Sequence, residues 1–161
     1  MVDGHLCFLI TTASMHGGDD KRLKTLSSER ILPVHPVLLD LGFADYVEER
    51  RFANDLKLFP ELPLRHGLYS HLFSRWFGRF LVSCGAAAER TCYHSFRHSF
   101  RDACRAAHLD RDLVMALGGW SSASDASGSV SDSYGRGHSS EALHQAITKI
   151  AYDGIDWNAL K

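Results

Sequence analysis

The apolar positions of the first 35 residues fall into short runs that are typical of strands. Residues 4–13 (GHLCFLITTA) are rich in β-branched and aromatic side chains and predict one strand. Residues 23–35 (LKTLSSERILPVH) predict a strand, a serine-rich turn and a second strand that ends at Pro33 and Pro36. We therefore expect a small three-stranded antiparallel sheet at the N-terminal end.

Further along the chain the apolar positions follow helical spacing. Residues 68–85 carry them at positions 72, 73, 76, 77, 80 and 81, the i, i+4, i+8 pattern of a buried helix face, and Gly85 is a suitable C-cap. The other predicted helices are residues 35–51, 91–108, 111–118 and 141–152. Residues 59–67 and the Ser/Gly/Asp-rich residues 121–133 predict loops.

Together these elements predict an α+β fold that is mostly α-helical, with the three-stranded antiparallel sheet packed on a helical bundle. A chain of 161 residues suits one domain, residues 1–161, because neither a repeat nor a linker divides it. No apolar run is long enough to span a membrane, and the N-terminus does not resemble a signal peptide. The four cysteines form no C-x-x-C pair, which favours reduced thiols and a cytoplasmic protein.

The formal net charge of −1 means that any site for a polyanion has to be local. One helix face is the candidate. On a helical wheel the apolar side of the helix from His94 faces the core, and the opposite side is a basic stripe of His94, Arg97, His98, Arg101, Arg105 and His108. Like charges four residues apart repel by a few tenths of a kcal/mol, so a stripe without acidic residues indicates an anion, and arginine with histidine indicates phosphate.

Two other interpretations of this helix stay open. The stripe could be a solvated surface, as basic helix faces often are. Zinc binding by His94 and His98 is disfavoured because no acidic residue or third ligand follows nearby.

The order of motifs resembles the tyrosine recombinase (phage integrase) family. His94-x-x-Arg97-His98 is followed by ALGGW (116–120) and by Tyr134 in SDSYGRG. Upstream, LKTLSSERILPVHP resembles the family's β-hairpin, in which a lysine precedes a small turn and an R-x-x-P strand, and Lys24 stands at that lysine's place. The resemblance covers most of the chain, from the hairpin to the last helix, and implies an integrase-like catalytic domain.

The resemblance implies a catalytic set of Lys24, His94, Arg97, Trp120 and Tyr134 for DNA cleavage and rejoining through a 3′-phosphotyrosine. Tyr134 would be the nucleophile and Lys24 the general acid for the 5′-oxygen. His94 would handle protons, while Arg97 and Trp120 would hold the phosphate. Arg75, Arg79, His98 and Arg101 would contact the DNA backbone. The implied reaction requires neither a metal nor another cofactor, because the cationic side chains stabilise the phosphate. The implied partners are double-stranded DNA and further recombinase protomers in a tetramer, in a bacterial or phage-infected cell.

Two departures from the family pattern matter. The family's first active-site arginine and its N-terminal DNA-binding domains have no counterpart here, so we expect a C-terminal catalytic portion with weak or no activity by itself. Trp120 and Tyr134 are also further apart than is usual in the family, because of the Ser/Gly-rich loop. The alternative is a catalytically inactive integrase remnant that only binds DNA or a partner recombinase.

Overall fold

The computed structural model describes residues 1–13, 29–65, 67–120 and 138–161. In these residues the elements are β1 (Cys7–Ile10), β2 (Arg30–Pro33), α1 (Pro36–Asp40), α2 (Phe43–Phe52), α3 (Ser70–Ser83), α4 (Ser95–Ala106), α5 (Arg111–Gly118), α6 (Ser140–Thr148) and a 3₁₀ helix (Trp157–Leu160). The described chain is thus α+β and mostly helical, as predicted. None of its helices is both long and apolar enough to cross a membrane.

The described residues divide into two compact units. The first contains residues 1–41 and 103–161, and the second contains residues 42–102. The single domain expected from the sequence stays a prediction, and each unit is best understood from its own packing.

The sheet of the first unit has two described strands. β1 and β2 pair antiparallel, with Cys7 opposite Pro33 and Ile10 opposite Arg30. The strand expected upstream of β2 begins at residue 23 and lies outside the described residues, as does the loop predicted at residues 121–133. A two-stranded antiparallel sheet is therefore established, and the third strand stays a prediction.

The core of the first unit forms where α6 packs on β2 and on α5. Its most buried side chains come from α5, α6, the residues next to β2 and α6, and the end of α4, namely Val34, Cys104, Leu117, Leu143, Ala146, Ile147 and Ile150. Burial raises the pKa of the Cys104 thiol above its ordinary value, because the thiolate would lose its hydration. Cys104 therefore acts as a small apolar core residue.

The second unit is built around the ring of Phe77 on α3, which is buried. The aromatic rings of Phe73, Trp76, Phe80, Tyr93 and Phe96 all contact it. The C-cap residue of α3 is Cys84, and Gly85, which the sequence indicated as the C-cap, is the next residue. Gly85 follows the last turn with a φ of 67°, and the N–H groups of Gly85 and Ala86 donate to the carbonyls of Val82 and Leu81. This is the Schellman arrangement that ends helices at glycine.

The helix predicted over residues 35–51 is wrong as a single element. It is interrupted between α1 and α2 because Gly42 adopts a left-handed conformation, with a φ of 85°. α1 begins at a histidine cap, in which Nδ1 of His35 accepts the backbone N–H of Val37 at 3.1 Å. Nε2 of the same ring lies 2.9 Å from the carbonyl oxygen of Ile150.

Candidate active site

The structure describes seven of the nine residues predicted for the site. Lys24 and Tyr134 lie outside the described residues. Trp120 belongs to the first compact unit. The remaining six belong to the second unit. His94 immediately precedes α4, Arg97 and His98 lie in its first turn, and Arg101 lies in its middle. Arg75 and Arg79 lie on α3.

The first turn of α4 presents its backbone N–H groups beside basic side chains. His94 occupies the turn just before the helix, and its carbonyl accepts the N–H of Arg97 at 3.0 Å. The same turn is closed by Ser95, whose hydroxyl accepts the N–H of Cys92 at 3.1 Å. No acidic residue occupies the first turn of α4. A helix N-terminus carries a partial positive charge, so the local field at His94 and Arg97 favours an anion.

The predicted basic stripe is exposed along α4. The side chains of His94, Arg97, His98 and Arg101 are all exposed, and the His94 and His98 rings lie edge to face with centroids 6.1 Å apart. Asp102, four residues after His98, lies beside the stripe. Its carboxylate partly offsets the positive charge at the C-terminal end of the stripe, which the helical wheel had predicted to be free of acidic residues. The described geometry is therefore that of a basic surface open to solvent.

The opposite face of α4 packs against other aromatic rings, but its Phe96 side chain is less buried than the sequence predicted. The Phe96 ring contacts the rings of Phe77 and Tyr93, with centroids 5.7 Å and 5.6 Å away. It nevertheless keeps 56% of its surface exposed, whereas Ala103 is buried. On α3 the guanidinium groups of Arg75 and Arg79 are exposed one helical turn apart.

At both glycines of the GGW motif another side chain lies so close that a Cβ atom would collide with it. α5 begins at Asp110, whose carboxylate accepts the N–H of Asp112, and it ends at Gly119 in the left-handed conformation. The Trp120 indole lies against Gly118, where a Cβ would be 2.5 Å from the ring. The Arg30 guanidinium lies against Gly119, where a Cβ would be 2.5 Å from its Cζ.

Arg30 thus connects the start of β2 with the end of α5. Its Nε donates to the carbonyl oxygen of Leu117 at 3.3 Å, which places a cation at the helix C-terminus. Sequence analysis assigned no role to Arg30, although it is the arginine of the R-x-x-P pattern. The R-x-x-P pattern could have drawn attention to Arg30. Its hydrogen-bond partner could not be predicted, because Leu117 is 87 residues away along the chain.

The neighbouring Glu29 fastens the end of β1 to the start of β2. Its Oε1 accepts the hydroxyls of Thr11 and Thr12 at 2.9 Å and 3.2 Å, and the backbone N–H of Thr12 at 3.0 Å. These hydrogen bonds, the backbone one first, hold the pKa of Glu29 below its ordinary value because they favour the ionised carboxylate. Sequence analysis also missed this residue.

A cleft of about 470 Å³ opens in the first unit between the end of the sheet and the ends of α5 and α6. Its polar lining includes Thr11, Glu29, Arg30, Trp120 and His138. The lining combines hydrogen-bond donors with one carboxylate. Such a set can hold a polar group of moderate size.

No family model, curated protein or solved structure matches the chain. Function is therefore inferred from the order of the motifs and from the described geometry of α4, of the GGW motif and of the cleft.

Proposed function

We propose that the chain is the C-terminal catalytic portion of a tyrosine recombinase, which performs site-specific DNA recombination or integration through a 3′-phosphotyrosine intermediate. The observation that carries the proposal is the exposed basic face at the N-terminus of α4. There His94, Arg97 and His98 stand at the spacing of the family's H-x-x-R-H motif. A phage or another mobile element is the natural context for this activity.

The basic face is suited to phosphate for two physical reasons. A guanidinium such as that of Arg97 can donate two parallel N–H groups to a pair of phosphate oxygens. The N-terminal turn of α4 adds the partial charge of the helix dipole at the same place. In this proposal His98, Arg101, Arg75 and Arg79 contact the DNA backbone and supply the sequence-independent part of the affinity.

The cleft supports the same proposal from the first unit. Trp120 lines it, but its indole nitrogen is buried, so the proposed hydrogen bond from the indole N–H to the phosphate requires the ring to turn. Lys24 stands five residues before Glu29 in the sequence, and Tyr134 stands four residues before His138. Glu29 and His138 both line the cleft.

The proposed reaction conserves the phosphodiester energy. The Tyr134 oxygen forms a bond to phosphorus as the bond from phosphorus to the 5′-oxygen breaks, and Lys24 gives its proton to that leaving oxygen. His94 accepts the phenol proton of Tyr134, and Arg97 stabilises the charge that develops on the non-bridging oxygens. Attack by a 5′-hydroxyl on the phosphotyrosine restores the DNA and releases the tyrosine, so rejoining needs no ATP.

The test uses negatively supercoiled plasmid DNA, because its relaxation does not require a known target site. The purified chain should relax the plasmid slowly and leave a detergent-resistant protein–DNA adduct. Tyr134→Phe should abolish the adduct because it removes the nucleophilic oxygen. Arg97→Ala should reduce adduct formation by at least about 100-fold, the usual effect of losing a transition-state donor. Tyr152→Phe, a change at a half-buried tyrosine after α6, should leave the adduct unchanged.

The other outcomes separate the alternatives. DNA binding that depends on Arg97 but gives no adduct would indicate the inactive remnant that binds DNA or a partner recombinase. An adduct that persists in Tyr134→Phe would contradict the assignment of the nucleophile. Negligible DNA affinity at moderate salt would leave α4 as a solvated basic helix and overturn the proposal.

A further inference from the structure

The N-terminal residues form a tight turn that fixes the position of His5. The backbone groups of Val2 and His5 exchange two hydrogen bonds of 2.9 Å, and the residues between them, Asp3 and Gly4, have φ values of 46° and 83°. This is the two-residue turn with positive φ at both central positions that Asp-Gly sequences favour. The backbone of His5 is therefore held in place by the hydrogen bonds of this turn.

The turn is attached to the first turn of α6. The carboxylate of Asp3 accepts a hydrogen bond from the hydroxyl of Ser140, which is buried. Three residues apart on α6, Glu141 and His144 lie on the same helix face. Both of these side chains contact His5.

The three side chains bring their donor atoms together. Nε2 of His5 lies 2.9 Å from Oε2 of Glu141, and the His5 and His144 rings stack with centroids 3.8 Å apart and an angle of 18° between planes. One ligand atom from each residue lies within 4.8 Å of the other two. The second carboxylate oxygen of Glu141 accepts the side-chain N–H of Gln145 at 2.7 Å, which fixes the orientation of the carboxylate.

We infer that His5, Glu141 and His144 form a binding site for a first-row transition metal ion, with Zn²⁺ the favoured occupant. Two imidazoles and one carboxylate, completed by water, are an established ligand set for zinc. Donor atoms around tetrahedral zinc are about 3.3 Å apart for bonds of about 2.0–2.1 Å, so small side-chain rotations bring the three together. Gln145 occupies the outer-shell position that orients a ligating carboxylate.

The ligand set also determines which ions are excluded. Imidazole nitrogen suits zinc, cobalt and nickel, whereas Mg²⁺ prefers an octahedron of oxygen ligands and keeps much of its water. The site has two nitrogen ligands and one carboxylate, so Mg²⁺ should not compete. The bound ion would join His5 to α6 across 136 positions of the chain, and this role does not depend on the proposed DNA chemistry.

The experiment is calorimetric titration of the chain with ZnCl₂, after purification without a histidine tag and removal of metals by a chelator. We expect one equivalent of Zn²⁺ to bind in wild type. His144→Gln and His5→Gln should each lose this binding. Gln145→Ala should keep the ligands but weaken zinc affinity by roughly 10-fold or more, because the carboxylate loses its orienting donor. MgCl₂ should give no comparable heat.

The controls identify the site rather than zinc binding in general. His108→Gln removes an exposed histidine outside the group and should bind zinc like wild type. With Co²⁺ as the probe, the spectrum should lack the sulfur-to-metal charge-transfer band that ligation by Cys84 or Cys92 would give. Absence of zinc binding in wild type would overturn the inference. So would binding that His144→Gln leaves unchanged, with circular dichroism confirming that this variant is folded. Either result would leave His5 and Glu141 as a hydrogen-bonded pair.

Discussion

The guanidinium of Arg30 covers the Cα of Gly119, so that a side chain at position 119 would collide with it. Gly119→Ala therefore meets both this collision and the strain of a left-handed φ of 61°. The guanidinium can move aside only by giving up its hydrogen bond to Leu117, so we expect the substitution to lower the free energy of unfolding by about 2 kcal/mol, measured by urea denaturation. Gly154→Ala is the matched control. Its φ of 78° is also positive but open space surrounds it, so it should cost only about 1 kcal/mol.

The collision can be separated from the strain by a double-mutant cycle. Arg30→Ala removes the guanidinium and its hydrogen bond to Leu117. In that background Gly119→Ala should cost no more than Gly154→Ala does, about 1 kcal/mol, because only the backbone strain remains. Equal costs of Gly119→Ala with and without Arg30 would show that the two residues are not coupled.

Glu29 should make stability depend on pH. Its pKa is held below the ordinary value in the folded chain, so its contribution is fully present above that ordinary value and is lost as the pH falls through the folded pKa. Glu29→Gln should lower the urea midpoint at neutral pH, and the difference from wild type should shrink in acid. Glu61→Gln, at an exposed position in the other unit, should show no such trend. If the difference in urea midpoint between Glu29→Gln and wild type stays constant down to strongly acidic pH, the ionised Glu29 carboxylate does not stabilise the fold.

The elements that could be predicted are those with local signals at both ends. α5 begins and ends where the sequence indicated because Asp110 caps its start and Gly119 ends it. The interruption at Gly42 was missed because apolar residues keep helical spacing across it, although the glycine itself was a visible signal. Local sequence patterns therefore located the helices better than they located breaks within them.

The contacts that could not be predicted join residues far apart in sequence. Arg30 meets Leu117, and His5 meets Glu141, over separations of 87 and 136 residues. No periodicity or local motif encodes such pairs, because they arise only when β2 lies beside the end of α5 and the N-terminal turn lies against α6. The basic face of α4 could be predicted because helical spacing alone places its residues together.

The proposed DNA contacts should appear in the salt dependence of binding. Arg101→Ala on α4 should weaken binding to a short DNA duplex and reduce the slope of log K against log salt by about 1, since one phosphate contact is lost. Fluorescence anisotropy over a range of salt concentrations measures both effects. Arg51→Ala on α2 is the control, because it removes the same charge at a position for which no DNA contact is proposed. Identical slopes for the two variants would argue against a phosphate contact at Arg101.

The second unit should depend strongly on one aromatic ring. Phe77 is 8% exposed and is surrounded by five other rings, so Phe77→Ala should lower the free energy of unfolding by about 3 kcal/mol or more. Phe52→Ala removes a ring that is 93% exposed and should change stability by no more than about 0.5 kcal/mol. Near-ultraviolet circular dichroism during urea unfolding reports the loss of this aromatic packing. Similar losses for the two variants would show that the cluster is not the core of the unit.

Both ring nitrogens of His35 have backbone hydrogen-bond partners, which fixes the tautomer and the orientation of the ring. Nδ1 accepts from Val37, so the proton of the neutral ring resides on Nε2, which donates to Ile150. A half-turn of the ring about its Cβ–Cγ bond would put carbon atoms at both contacts. The imidazole is thus fixed in one tautomer and one orientation. It joins the start of α1 to Ile150, two residues after the end of α6, and only this orientation makes both hydrogen bonds.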